Sequence, residues 1–236
     1  MSVNIDIESI KEKFFKKLKP SGWDRVLRGF IFSSEFDNIL KHLVEDANNG
    51  KRFTPTLKKL FRAFEECPYE DLKVVFVGQD PYPQVGVADG IAFSCSGQDK
   101  LLPPLNFIID ELERTTFPSG YDRKDDLKDW SNQGVLLLNT ALTVTIGTVT
   151  SHLKLWEPFI IYLMDMLNHN NTGLIYVYFG KKAEDWCSYV SDDNNYKIIL
   201  KHPIGAMYNN GMWDSQDAFN KITKTLKENY NFNMKW

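Results

Sequence analysis

Positive charge is in short supply in this chain: 28 lysines and arginines face 31 aspartates and glutamates, leaving a net charge of −3 at neutral pH. That balance excludes a chain-wide attraction to polyanions, so any role on nucleic acid has to rest on local geometry. Cysteine is scarce as well. Cys67, Cys95 and Cys187 are isolated and form no C-x-x-C pair, which argues against a disulfide framework and against a zinc or iron–sulfur site. A reduced, intracellular setting fits, and each cysteine is expected to be a small buried apolar residue rather than a nucleophile. The four histidines, His42, His152, His169 and His202, show no H-E-x-x-H or similar ligand spacing. No apolar run approaches the ~18 residues that span a membrane. The N-terminus lacks an apolar signal core, and Asp6, Glu8 and Glu12 argue against a transit peptide; the expected location is cytoplasmic or nuclear, according to source. Repeats, low-complexity tracts and interdomain linkers are missing too, and residues 1–236 read as one domain.

What is present is a change of pattern near residue 70. Before it come helical segments: Ile5–Leu18, a second helix from a capping box at Ser34 and Asp37 to Asn49-Gly50, and a third over Thr54–Glu66, stopped by Pro68. After it come four apolar, β-rich runs, Leu72–Val77, Val135–Leu138, Leu174–Phe179 and Tyr196–Leu200. Amphipathic segments lie between or after them, at Leu105–Arg114, Trp156–Leu167, Lys182–Val190 and Ser215–Asn229. Strands separated by helices predict an α/β fold. It has a central four-stranded, mainly parallel sheet flanked by helices, with residues 1–70 as N-terminal helices packed on that core.

The residues just past each strand carry the chemistry. Gln79 and Asp80 follow the first, Asn139 and Thr140 the second, Gly180, Lys181 and Lys182 the third, His202 and Pro203 the fourth. In a parallel sheet these ends lie along one edge, where open α/β sheets bind ligands. An acid, a carboxamide, a cation and a histidine then converge, although Asp80 and His202 stand more than 120 positions apart. Pro81 and Pro83 stiffen the first of these loops. Each residue alone also has a structural reading: Asn139 as a helix cap, Asp80 as a turn former, His202 as a loop histidine.

These residues resemble the family 1 uracil-DNA glycosylases. The likeness is carried by Gly78-Gln79-Asp80-Pro81-Tyr82, Gly90-Ile91-Ala92-Phe93-Ser94 and Gln133-Gly134-Val135-Leu136-Leu137-Leu138-Asn139. It continues at Leu142-Thr143-Val144, Ser151-His152, Trp156-Glu157 and His202-Pro203. It runs in order from about Thr54 to Phe219. The resemblance implies a metal-free, cofactor-free hydrolase that cuts the N-glycosidic bond of uracil in DNA and starts base-excision repair. Asp80 would stabilise the cationic sugar and orient or activate water, and His202 would donate to uracil O2 as a neutral imidazole. Asn139 would read N3–H and O4, Phe93 would stack on the flipped base, and Tyr82 would exclude the thymine methyl. Gln79 would contact the base through its backbone. Ser151-His152 would support the site from behind, and Trp23, Trp130, Trp156 and Trp186 would serve packing. The implied partners are uracil-containing single- or double-stranded DNA and a DNA-mimic inhibitor protein, met as a monomer.

The chain departs from the family in the loops that grip DNA. The family's phosphate-contacting serines fall on Pro104, next to Pro103, and on Lys181, Ile204 and Met207, and its leucine wedge falls on Ala206. Gly205 stands where a proline usually follows the His-Pro-Ser step, here His202-Pro203-Ile204, and Pro83 replaces a frequent histidine. Ala206 is too small to fill a vacated base stack, so Met207 or Tyr208 is the expected wedge, with Lys181 and Lys182 supplying charge in place of hydroxyls. These changes leave open a second reading, a glycosylase-fold DNA-binding or replication accessory protein with weak or no catalysis.

Overall fold

A computed structural model describes residues 6–236. The chain opens with three helices, α1 (Ile7–Leu18), α2 (Trp23–Ile31) and α3 (Ser34–Asn48), followed by the two-residue strand β1 (Phe53–Thr54) and the short helix α4 (Arg62–Glu66). The sheet strand β2 (Val74–Gly78) comes next, then α5 (Pro103–Thr115), α6 (Lys128–Ser131) and the strand β3 (Val135–Asn139). The strand β4 (Val144–Thr145), the long helix α7 (Leu153–Asn170), β5 (Ile175–Phe179), α8 (Lys181–Glu184), β6 (Tyr196–Leu200) and α9 (Ala218–Tyr230) complete it.

The four strands anticipated from apolar runs form one sheet in the order β3-β2-β5-β6, with every pairing parallel. β2, β3 and β5 are almost wholly buried, as expected of a sheet covered on both faces. Edge strand β6 is more open, with Ile199 exposed. Because β3 pairs on one side of β2 and β5 on the other, the chain reverses direction across the sheet beside the C-terminal end of β2. That is where a crevice opens in folds of this kind.

Buried side chains form one contiguous cluster that runs from the N-terminal helices through the sheet. On one side, α2 and α3 rest on α7, Phe30 meeting Phe159 and Phe36 meeting Trp156, while Phe61, just before α4, sets its ring edge-on to Phe159. On the other, Phe76, Trp130, Phe219 and Trp236 pack together.

Several boundaries differ from the sequence reading. The first helix is described from Ile7; Ile5 lies outside the described residues. The helix α2 was not anticipated: it starts after Gly22, at φ +79°, with no side-chain cap to announce it. The cap of α3 is Ser33, not Ser34, its hydroxyl accepting from Phe36 N. Thr54–Glu66 is not one helix. Phe53 and Thr54 pair antiparallel with Thr145 and Val144, committing Thr54 to extended backbone, and the helix forms only at Arg62–Glu66. Lys182–Val190 breaks into α8 and a 3-10 turn at Cys187–Tyr189. α9 starts three residues late because Ser215 gives its N–H and hydroxyl to buried Glu111, and Gln216 and Asp217 take positive φ. Cys67 and Cys95 are buried; Cys187 is only half-buried. Trp23, Trp130 and Trp156 are core residues, and Trp186 lies partly exposed.

Candidate active site

A cleft of about 550 Å³ opens at the C-terminal edge of the sheet, lined by Gln79, Asp80, Tyr82, Phe93, Asn139 and His202. The register explains the convergence. Gly78 and Asn139 are direct partners at the ends of β2 and β3, and Thr140 and Ala141 then clamp the β2 loop by donating their N–H groups to the carbonyls of Gly78 and Gln79. Thr140 adds its hydroxyl to the Gln79 carbonyl at 2.9 Å.

Both carboxylate oxygens of Asp80 are held by neutral donors. Gln79 Nε2 donates to Oδ1 at 2.9 Å, and the backbone N–H of Thr150 donates to Oδ2 at 2.5 Å. Thr150 was not singled out from the sequence, because its contribution is a backbone group. Its trace is conformational: a β-branched residue at φ +64° is held in a region such residues rarely adopt. Ser151 and His152 fix the segment around it. Ser151 Oγ accepts from Thr145 N, and the two ring nitrogens of His152 meet Thr143 Oγ1 at 2.8 Å and Thr145 Oγ1 at 3.0 Å.

Phe93 is the other bulky residue with positive φ, at +66°. The twist aims its carbonyl at Tyr82, whose hydroxyl donates to it at 2.9 Å, and burial holds the Tyr82 phenol far above its ordinary value. Phe93 is 8% exposed, and its ring stands 4.8 Å from that of Phe179 and 6.2 Å from that of His202, centroid to centroid. Its loop is shaped by Asp89, a fully buried acid that accepts from Ile91 N, Ser94 Oγ and Ser96 N and faces Arg62 at 2.8 Å. Asp89 was also missed, though an acid inside the apolar stretch Val87–Phe93 was a legible signal.

His202 caps the 3-10 turn Pro203–Tyr208, its Nδ1 accepting from Ile204 N at 3.2 Å. Burial pushes the imidazole below its ordinary pKa, against the opposing pull of Asp80. With Nδ1 accepting, the neutral ring carries its proton on Nε2, the nitrogen left to donate. Gly180 makes room behind it, since a Cβ there would lie 2.9 Å from His202 Cβ.

Of the expected DNA-contact residues, Pro103, Pro104, Lys181 and Ile204 line the cleft mouth. Pro203 and Ala206 are buried, and Gly205 is exposed. Met207 and Tyr208 project, 58% and 92% exposed. Lys181 and Lys182 are exposed and stand near acids of their own turn, Lys181 Nζ 3.3 Å from Glu184 and Lys182 Nζ 3.9 Å from Asp185. Such exposed pairs contribute little to stability.

The uracil DNA glycosylase superfamily model matches residues 64–227, a span that holds every residue of the cleft named above. The uracil-DNA glycosylase of Acinetobacter baylyi is 32% identical over 222 residues, covering 94% of this chain and 93% of that protein. The chain belongs to the uracil DNA glycosylase superfamily. Another relative, the uracil-DNA glycosylase of Borrelia turicatae, is 32% identical over 87% of this chain and 92% of its own length. Among solved structures, mimivirus uracil-DNA glycosylase superposes with a TM-score of 0.84 at 25% identity, covering all of this chain and 90% of that one. A variant of the mimivirus enzyme in complex with UGI superposes at 0.82 over 98% of this chain and 90% of its own. The superfamily's α/β architecture, a four-stranded parallel sheet flanked by helices, is the one described above.

Proposed function

We propose that this chain excises uracil from DNA by hydrolysing the N-glycosidic bond, releasing free uracil and leaving an abasic site. The observation that carries the reading is the setting of Asp80, an acid held from both sides by neutral N–H donors in a cleft it shares with an aromatic ring, a carboxamide and a histidine. Breaking the bond builds positive charge on the sugar and negative charge on the leaving base. Catalysis therefore needs a fixed anion on one side and donors on the other. Asp80 supplies the anion and orients the attacking water. His202 donates from Nε2 to uracil O2 as charge develops there, and as a neutral ring it does not cancel the field of Asp80. Asn139 pairs with N3–H and O4. Cytosine presents the reverse pattern and would leave buried polar groups unpaired. Phe93 stacks on the base, Tyr82 walls off a 5-methyl group, and Gln79 orders both Asp80 and the base through its side chain and backbone.

The same reading assigns DNA contacts to Pro103, Pro104, Lys181 and the turn from Pro203 through Ile204, Gly205 and Ala206 to Met207 and Tyr208. It takes the chain to act as one domain, which the unbroken cluster of buried residues supports, and as a monomer. A DNA-mimic inhibitor such as the UGI seen on the mimivirus enzyme is expected to cover the same face. Among the described residues no helix is long and apolar enough to cross a membrane.

The rewritten phosphate and wedge positions favour one competitor, a DNA-binding protein of this fold with little catalysis. A single assay separates the two: uracil-containing single- and double-stranded DNA is incubated with the protein in EDTA and free uracil is measured. Release that falls by about 10²-fold or more in Asp80→Asn is the expected result. DNA binding without release would select the competitor.

A further inference from the structure

Helix α3 carries His42 and Asp46 one turn apart, and His152 reaches them from the segment before α7. His42 Nε2 stands 3.5 Å from Asp46 Oδ2, and His152 Nε2 stands 3.9 Å from the same oxygen. One ligand atom from each residue lies within 4.8 Å of the other two. A tetrahedral zinc ion with bonds of about 2.0–2.1 Å sets neighbouring ligand atoms roughly 3.4 Å apart, so the two imidazole–carboxylate separations already come close and the two imidazoles, within 4.8 Å of each other, would draw together on binding. The other oxygen of Asp46 is occupied by Lys51 Nζ at 3.3 Å, which leaves Oδ2 to the two imidazoles.

The surroundings of His152 are suited to a ligand. Its Nδ1 lies 2.8 Å from Thr143 Oγ1, which also accepts from Trp156 Nε1 at 2.7 Å. A hydroxyl oxygen has two lone pairs, so it can accept from both. With the proton on Nδ1, the Nε2 lone pair faces Asp46, the outer-shell arrangement common to metal-bound histidines. Thr145 Oγ1, 3.0 Å from that Nε2, is the contact an ion would replace. His152 is buried, whereas the His42 side chain is 49% exposed and opens a path from solvent.

We propose that His42, Asp46 and His152 bind one divalent transition-metal ion of the zinc class, with water completing the shell. Two imidazoles and one carboxylate suit zinc better than magnesium or calcium, which take oxygen-only shells. None of the three residues lines the cleft, so the ion is not part of the glycosidic chemistry. Its mechanical effect is to tie α3 to the segment Val144–His152, which carries the Thr150 N–H that holds Asp80.

The test titrates metal-free protein with zinc chloride by calorimetry and follows cobalt(II) by its visible spectrum. It compares the wild type with His42→Ala, Asp46→Asn and His169→Ala. His169 pairs with Asp165 on an exposed helix face and controls for adventitious binding by a histidine–carboxylate pair. One zinc per chain is expected in the wild type, together with a tetrahedral cobalt spectrum and a rise in melting temperature. Binding should weaken by at least about tenfold in His42→Ala and Asp46→Asn and stay unchanged in His169→Ala. His42→Ala should keep full uracil release without added metal, a check on its fold that is independent of the metal readout. Absence of stoichiometric binding in the wild type would overturn the proposal. So would wild-type affinity in His42→Ala, or equal weakening in His169→Ala.

Discussion

Gly78→Ala would set a Cβ 2.6 Å from Asn139 Oδ1, a separation no relaxed contact tolerates, and the carboxamide would have to turn away from the cleft. A displacement near 1 Å in a positioning group costs roughly 10²-fold in kcat/KM. That loss is the expected result for Gly78→Ala on uracil-DNA, with a smaller change in melting temperature. Activity within twofold of wild type would mean that Asn139 does not read the base. His202 makes a second prediction at this scale. Burial lowers its pKa, so the folded protein holds it neutral while the unfolded chain takes up its proton below about pH 6.5. Stability from this group is therefore constant above about pH 6.5 and falls as pH drops from there toward the lower folded value. Activity should follow the neutral form, with kcat/KM flat from about pH 7 to 8.5. A rate that fell steadily across that range would assign the work to an imidazolium. Asp80, Asn139 and His202 were legible in the sequence because each is a polar side chain just past an apolar run. Thr150 was not, since a backbone N–H has no letter of its own.

The turn Pro203–Tyr208 holds Ile204, Gly205, Ala206 and Met207, positions at which the sequence reading set this chain apart from the family it resembles. Its geometry sorts the residues there: Ala206 packs inward while Met207 and Tyr208 stand in solvent. A side chain that fills a vacated base stack matters only when the base must leave a duplex. Tyr208→Ala should thus slow release from double-stranded substrate by about tenfold and leave single-stranded substrate within about twofold; single-turnover assays on the two substrates read this directly. Equal slowing on both would move Tyr208 from wedge to general DNA contact. Strands were the most legible elements, each a short run of Val, Ile, Leu and aromatics ending in polar residues. The region before them was less so. Helix α2 begins without a capping side chain, and Thr54–Glu66 carries a helical pattern that the pairing of β1 with β4 overrides. That strand pairing joins residues some 90 positions apart, which no local periodicity encodes.

Over the whole molecule, helix α7 packs against α2 and α3, and its fully buried Leu163 belongs to the same cluster as the sheet. Leu163→Ala should cost about 2–5 kcal/mol, measured by urea unfolding, with uracil release per folded molecule unchanged. A loss below about 0.5 kcal/mol would show that the N-terminal helices and the sheet do not share one core. The α/β class could be read from the alternation of strands and helices, but the strand order could not, because it depends on which crossover passes which face. The same order has a consequence for synthesis. Asp80 and Asn139 become neighbours when β3 pairs with β2, yet the wall that carries His202 follows β6, the last strand to leave the ribosome and one of the sheet's two edge strands. A nascent chain arrested before residue 196 could assemble three of the four strands and still have an open trough where the cleft will be. During synthesis, then, the cleft can be complete only once β6 and the His202 turn behind it have left the ribosome, because His202 and Ile204 line its wall.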